Sequence, residues 1–199
     1  MGSKERMARE KEELRKKILD ASLEIIIAEG CEALSMRKIA DRIEYAAPTL
    51  YEYFKNKDQI MTELTGRGYT ILSDEIRKAL EKKGDAETRL RAMWTAYWRF
   101  GFKHTELYRL MYGVKVSCPK PKGTVANIDR PQEMFTRVIG ELLPDSQPVK
   151  GEAERWYYAL WSLVHGLIAI NLTNVELADK MNRQILEDAM GGLIRSIRH

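Results

Sequence analysis

The chain has 199 residues, 44% of them hydrophobic and 31% charged, a balance that is ordinary for a globular protein and excludes wholesale disorder. The net charge of +4 only mildly indicates a polyanionic partner, because residues 1–62 carry twelve basic and twelve acidic side chains. The longest apolar run, residues 156–170, falls short of the roughly 20 residues that span a bilayer, and the charged N-terminus is not a signal peptide. Cys31 and Cys118 are too few and too isolated for a disulfide framework or a metal site, so we expect a reducing compartment and a cytoplasmic protein.

Helical periodicity dominates the chain, which predicts an all-α fold of about nine helices. The first helix is predicted over 8–29 and ends at Gly30, and Ser35 is a plausible N-cap for a second helix. A glycine at position 84 ends a long fourth helix. The predicted helices cover residues 8–29, 36–43, 47–54, 56–83, 86–103, 105–113, 131–143, 152–173 and 176–197. The longest predicted connections are 114–131, which is rich in proline, and the linker 144–151.

The second and third helices with the turn between them form a helix-turn-helix pattern. Thr49 lies in the first turn of the third helix, where unpaired N–H groups and the helix dipole favour phosphate. Leu50 and Phe54 lie four residues apart and should face inward. Tyr51 and Tyr53 can place hydroxyl groups on the DNA backbone or ring edges on bases. This pattern indicates a sequence-specific DNA-binding protein and not an enzyme.

Residues 12–62 resemble the DNA-binding domain of the tetracycline-repressor (TetR) family of transcriptional regulators. The resemblance rests on Thr49-Leu50-Tyr51, Tyr53-Phe54 and Lys57, which follow a helix that contains Arg37-Lys38-Ile39-Ala40. It implies a three-helix DNA-binding domain over 1–62 and a larger helical ligand-binding and dimerisation domain over 63–199. In the family, phosphate contacts fall at the positions that are here Thr49, Tyr53 and Lys57. Base readout varies at the positions that are here Arg37, Ala47, Pro48, Tyr51 and Glu52.

Each of these side chains could also have a role that does not involve DNA. Tyr51 and Tyr53 could be aromatic residues at the rim of the core, and Lys57 could be a solvated charge. Only one of Arg37 and Lys38 can face DNA, and Arg37 is the favoured one. Two interpretations of Glu52 have equal support: a solvated carboxylate, or an acceptor for a cytosine amino group.

Two further positions depart from the family pattern. Glu44 stands where glycine is usual, which costs about 1 kcal/mol if the backbone there needs a positive φ. Ala46 stands where a serine cap is usual, and the loss of a cap costs about 1 kcal/mol. These changes put DNA affinity and half-site sequence in doubt without removing the motif.

Aromatic residues concentrate beyond residue 62 and indicate a small-molecule pocket, although each ring alone could simply fill a core. Residues 161–166, W-S-L-V-H-G, resemble a Trp-His-Gly motif of one C-terminal subtype of the family, and Gly166 should permit close approach of another helix. His165 could bond a ligand or be a satisfied core histidine. The histidines, His104, His165 and His199, are too scattered for a metal site, and no cofactor is expected. The candidate ligand-binding residues are Trp94, Tyr97, Trp98, Tyr108, Met111, Tyr112, Trp161 and His165.

The eighth helix is apolar nearly all round, so one face needs a cover beyond its own domain. In the family, the last two helices pair with their copies across a two-fold axis, and a dimer reads a palindrome with two recognition helices. The sequence therefore predicts a homodimeric repressor that binds a pseudo-palindromic operator. A small apolar or aromatic effector is expected to regulate its binding to DNA. A ligand-independent or architectural DNA-binding protein is the alternative.

Overall fold

A computed structural model of the chain describes residues 2–114, 124–144, 150–173 and 177–198. All regular structure among these residues is helical, which confirms the predicted all-α class. The chain divides into two compact units, one of residues 1–68 with 109–126 and one of residues 69–108 with 127–199. The helices are α1 Ser3–Glu29, α2 Met36–Ile43, α3 Ala47–Tyr51, α4 Lys57–Leu80, α5 Ala86–Lys103, α6 Thr105–Tyr112, α7 Arg130–Gly140, α8 Glu152–Thr173 and α9 Asp179–Ile197.

The first unit forms around the apolar stripe of α1, on which Ile18 and Ile25 are fully buried. The helix α1 packs against α2, and α2 packs against α3. Its start at Ser3 lies five residues before the predicted one, because the pairs Arg6–Glu10 and Arg9–Glu13, each four residues apart, stabilise an exposed first half. Its end at Gly30, where φ is +86°, is as predicted.

Several helix ends differ from the prediction by a few residues. The helix α3 ends at Tyr51 and not at 54, since the backbone N–H groups of Tyr53 and Phe54 both donate to the Leu50 carbonyl in a tight turn. The ends of α4 and α7, at Leu80 and Gly140, each lie three residues earlier than predicted. The helices α2, α5 and α8 have the predicted bounds. Half of the predicted 114–131 connection, residues 115–123, lies outside the described part of the chain.

The second unit is a bundle in which α8 packs against α5, α7 and α9. The helices α5 and α8 lie close together at Gly101, where an added Cβ would lie 2.9 Å from Cγ2 of Ile168. At Gly166, for which the sequence predicts such an approach, no atom of the described residues lies within 4 Å of an added Cβ. The side of α8 that carries Gly166 is therefore open.

Two asparagine side chains join α8 to α9. Asn171 and Asn182 exchange two amide hydrogen bonds of 2.9 Å each, Nδ2 to Oδ1 in both directions. The Leu177 N–H donates to Asn171 Oδ1, and the Leu177 carbonyl accepts from Asn182 Nδ2. Because these bonds satisfy buried polar groups at the start of α9, they fix the two helices as one hairpin.

Cys31 lies on a short 3-10 turn after α1, where it is buried and disulfide-bonded. A single bond does not amount to the disulfide framework that the sequence excludes, but it goes against the isolation of Cys31 on which the expected reducing compartment rests. Cys118 lies outside the described residues. In the described ranges, no helix has the length and apolarity to cross a membrane, and no three ligating side chains cluster as a metal site would require.

Candidate DNA interface and ligand site

The turn between α2 and α3 is built from local backbone signals. The Ser35 side chain caps α2 by accepting a 3.2 Å hydrogen bond from the Lys38 N–H, as predicted. Glu44 ends α2 with φ 60° and ψ 43°, the left-handed conformation that the usual glycine would adopt without strain. Ala46 stands at the N-cap of α3 and makes no side-chain cap. Both departures from the family pattern therefore occupy the strained or uncapped positions that the sequence predicts.

The helix α3 is anchored by its inward side and presents the other. Leu50 and Phe54 are fully buried, as their spacing predicts. Tyr51 is 56% exposed, so more than half of its surface is accessible to a partner. None of the eight predicted DNA-contacting residues is buried: Arg37, Pro48, Tyr51 and Glu52 are exposed, and Ala47, Thr49, Tyr53 and Lys57 are half-buried.

The start of α4 is held by an exchange of side-chain caps. Asn56 Oδ1 accepts a 3.0 Å hydrogen bond from the Gln59 N–H, and Gln59 Oε1 accepts a 2.8 Å bond from the Lys55 N–H. Lys57 is the first residue of α4, so its ammonium lies beside the positive end of the helix dipole. An anion at this point would meet both a side-chain cation and a helix N-terminus.

The two basic residues of α2 have different surroundings. Lys38 forms an ion pair with Glu29 of α1, which holds its ammonium against the domain. Arg37 is exposed. This difference supports Arg37 as the side chain available to DNA.

Two residues of α1 that the sequence analysis did not select lie against the DNA-reading segment. Lys11 Nζ lies 5.9 Å from the ring centroid of Tyr53. Arg15 lies with its guanidinium 4.5 Å from the ring centroid of Phe54 and donates to the Tyr53 carbonyl at 3.3 Å. The signal that could have found them is their spacing of four residues, which places two cations on one side of α1.

The second unit holds a hydrogen-bonded aromatic cluster of Tyr97, Tyr108, Trp161 and His165. Trp161 Nε1 donates to Tyr97 Oη at 2.9 Å, the two tyrosine hydroxyls are 3.5 Å apart, and Tyr108 Oη bonds His165 Nδ1. The Trp161 and His165 rings stack at 4.7 Å. Since an indole can only donate, the chain of bonds is satisfied when Tyr97 donates to Tyr108 and Tyr108 donates to a neutral His165.

Burial lowers the pKa of His165 because desolvation penalises the imidazolium, which agrees with a neutral ring. Trp161 and His165 are half-buried, whereas Tyr97 and Tyr108 are buried. The cluster therefore has two members inside the core of the unit and two that are partly exposed.

The other candidate ligand-binding residues are outside the chain of hydrogen bonds that defines this cluster. Trp94 is fully buried, stacks on Phe135 at 3.9 Å and belongs to the core. Trp98 is half-buried and packs against Phe102 at 4.7 Å. Met111 and Tyr112, in the last turn of α6, belong to the first unit and not to the unit that holds the cluster.

Comparison with known families assigns both parts of the chain. Residues 18–64 match the family described as "Bacterial regulatory proteins, tetR family". Residues 90–189, half of the chain, match the family described as "Tetracyclin repressor-like, C-terminal domain".

Individual relatives resemble parts of the chain. The transcriptional repressor KstR of Mycolicibacterium smegmatis is 37% identical over 81 residues, which are 41% of this chain and 40% of that protein. The transcriptional activator FasR of the same species is 31% identical over 102 residues, 51% of this chain and 47% of that protein. The chain thus spans about half, or less, of the length of these curated relatives.

Solved structures share the fold along nearly the whole chain. A protein from Rhodococcus sp. RHA1 has a TM-score of 0.74 at 21% identity, over 94% of this chain and 96% of that chain. A tetR family transcription regulator from Shewanella sp. PV-4 has a TM-score of 0.72 at 14% identity, over 92% and 97% of the two chains. With the family matches at both ends of the chain, these similarities lead to one conclusion: the chain belongs to the tetracycline-repressor (TetR) family of transcriptional regulators.

Proposed function

We propose that this regulator is a ligand-responsive repressor that binds a pseudo-palindromic operator as a homodimer. Residues 1–62 read the DNA, and residues 63–199 bind the effector and form the dimer. The observation that carries the proposal is the short helix α3, in which Leu50 is buried together with Phe54 of the following turn, so that Tyr51 on the other side can face a partner. A regulator of this kind works where the bacterial chromosome is, in the cytoplasm.

The DNA contacts divide into two kinds. Thr49, Tyr53 and Lys57 bind phosphates. Thr49 and Lys57 lie in the first turns of α3 and α4, and Tyr53 carries a hydroxyl donor between these helices in the sequence. Arg37 and Tyr51 reach base edges, together with the neighbouring positions of Ala47, Pro48 and Glu52. The exposure of Arg37 and Tyr51 supports this division.

The first test is binding-site selection from a randomised duplex pool, which should yield a palindromic consensus. Lys57→Ala should then weaken binding to consensus and random DNA alike and lower the salt slope by about one. Arg37→Ala should instead change the preferred sequence. Lys78→Ala, an exposed lysine near the other end of α4, is the matched control and should change neither. If no sequence is enriched by folded protein, the alternative of a general DNA-binding protein is favoured over an operator-specific repressor.

The dimer interface is proposed on α8 and α9. Tyr158 and Ile170 of α8 are 51% and 46% exposed, and Met181 of α9 is 50% exposed, although all three are apolar or aromatic. Between the α8 residues lies Gly166, which has open space beside it. An apolar face with a small residue at its centre suits close packing against a second copy of the same helix pair.

The effector site is proposed at the cluster of Tyr97, Tyr108, Trp161 and His165, with a small apolar or aromatic molecule as ligand. Stacked rings provide the apolar walls, and the chain of hydroxyl, indole and imidazole groups provides polar contacts. We also propose that Trp161, His165 and Gly166 place the chain in the Trp-His-Gly subtype. Native mass spectrometry of the purified protein should find a co-purifying small molecule, and Trp161→Ala should abolish its retention.

Such an effector would act by binding differently to the two arrangements of the dimer, since a ligand shifts an equilibrium only by its differential affinity. The sign of the response is testable with the selected duplex. Addition of the co-purifying molecule to stripped protein should lower operator affinity if the regulator is an induced repressor. An increase in affinity would instead make the molecule a co-repressor.

A further inference from the structure

We infer that Arg15 of α1 is a positioning residue for DNA reading, because its guanidinium joins the end of the recognition helix α3 to the helix α4. The inference rests on the proposed DNA interface and adds a residue outside it. It concerns a side chain that need not touch DNA and acts through the side chains that do.

The guanidinium of Arg15 makes three different contacts at once. It forms a two-bond ion pair with the Glu63 carboxylate of α4, in which Nε donates to Oε1 at 2.9 Å and Nη2 donates to Oε2. Its Nη1 donates to the main-chain carbonyl of Tyr53 at 3.3 Å. Its plane covers the Phe54 ring at 4.5 Å.

These contacts fall in the tight turn that follows α3, where the N–H groups of Tyr53 and Phe54 donate to the Leu50 carbonyl. The helix has five residues, and its last turn leaves carbonyl groups without a partner inside the helix. The Arg15 guanidinium donates to the carbonyl of Tyr53, two residues beyond that end, and its charge matches the negative end of the short helix. The position of Tyr53, a proposed phosphate contact, is therefore tied through one side chain to Glu63.

Only arginine can make this set of contacts. A planar fork with five N–H donors can bind a carboxylate with two bonds while a third nitrogen reaches the carbonyl and the plane stacks on a ring. Lysine keeps the charge near Glu63 but has a single nitrogen. The substitution Arg15→Lys therefore keeps a positive charge beside Glu63 and removes the contacts that position the end of α3.

The chain contains a natural control for this experiment. Arg67 of α4 forms an ion pair with Asp20 of α1, so it joins the same two helices one turn further along. Neither residue contacts α3 among the interactions that the structure describes. The two pairs are similarly exposed, with 31% for each side chain of Arg15–Glu63 and 37% and 43% for Arg67–Asp20. Partly exposed pairs of this kind contribute little to stability.

The test compares Arg15→Lys with Arg67→Lys in the full-length protein, using the duplex that the wild type selects and a scrambled duplex of the same composition. We expect Arg15→Lys to lower the ratio of affinities for the two duplexes about tenfold, the scale of one lost base discrimination. Arg67→Lys should leave the ratio within about twofold. Equal ratios for both variants would overturn the inference, whereas failure of the wild type to select any duplex would overturn the proposed operator binding itself.

A second measurement needs no DNA. Hydrogen exchange of the Tyr53 and Phe54 amides, which donate to the Leu50 carbonyl at 3.0 Å each, reports the order of this turn directly. Arg15→Lys should speed their exchange severalfold, and Arg67→Lys should not. A general loss of stability would also speed the exchange of amides in α1 and α4. An increase in Arg15→Lys that is not confined to the end of α3 would therefore contradict a positioning role.

Discussion

Glu44 offers a test of backbone strain, because two similar glutamate-to-glycine substitutions should change the stability of the fold in opposite directions. It ends α2 in the left-handed conformation, with φ 60°, while the N–H groups of Glu44 and Tyr45 both donate to the Ala40 carbonyl. An L-residue in this region costs about 1–2 kcal/mol relative to the right-handed one. Glycine avoids that cost, so Glu44→Gly should relieve strain that the turn now contains.

The net magnitude follows from two opposing terms. Relief of about 1–2 kcal/mol is offset by about 0.5–1 kcal/mol, because glycine has more conformational freedom to lose on folding. The difference lies between about 0 and 1.5 kcal/mol, so Glu44→Gly should stabilise the first unit by about 0.75 kcal/mol, the middle of that range. Glu52→Gly is the matched control, since Glu52 is also an exposed glutamate but has φ −71°, where no strain is relieved. That variant should be less stable than the wild type by about 0.5–1 kcal/mol.

Hydrogen exchange of peptides from α2 and α3, supported by urea unfolding followed by far-UV circular dichroism, measures both variants. A change of 1 kcal/mol corresponds to about fivefold in exchange rate where opening is in equilibrium. Slower exchange in Glu44→Gly together with faster exchange in Glu52→Gly is the expected pair of results. Destabilisation by both substitutions would refute the reasoning, because it would mean that the left-handed turn contains no strain that glycine can relieve.

Three further outcomes are expected. Ala46→Ser should add the missing N-cap of α3 and raise stability in urea unfolding by about 1 kcal/mol, whereas Ala47→Ser, one residue inside the helix, should give no gain. Ile170→Arg should convert the dimer to monomer in analytical ultracentrifugation, and Ile128→Arg, at a similarly exposed isoleucine outside α8 and α9, should leave it dimeric; a dimer in both would move the interface elsewhere. Because burial lowers the folded pKa of His165, the unfolded chain binds its proton first as pH falls below about 6.5, so stability should decline with acidification. His165→Gln should flatten that decline, and an unchanged slope would show that other groups cause it.

Much of the DNA-reading segment is predictable because its signals are local. The Ser35 cap, the stop at Gly30 and the burial of Leu50 and Phe54 each depend on residues within about one helical turn. The strained turn at Glu44 is instead indicated by the resemblance to the family, in which glycine usually stands at this position. Helix ends were less predictable, as at α3, where competition between a helical and a turn hydrogen bond decides the last residues.

The ligand-binding candidates show where local signals stop. The sequence indicates that Tyr97, Tyr108, Trp161 and His165 are aromatic or polar-tipped residues on inward stripes, but the same signal selects Trp94, which is a core residue. Periodicity places a side chain on a face and does not identify its partner. Which rings bond one another depends on the crossing of α5, α6 and α8.

The sequence by itself therefore determined the all-α class, the caps and breaks of the helices, and the identity of the side chains on the outer face of α3. Tertiary structure alone decided that Arg15 holds the end of α3 to Glu63, that Asn171 pairs with Asn182, and that the space beside Gly166 is open. The physical reason is range: helix signals act over three or four residues, whereas these contacts join residues brought together only when helices pack.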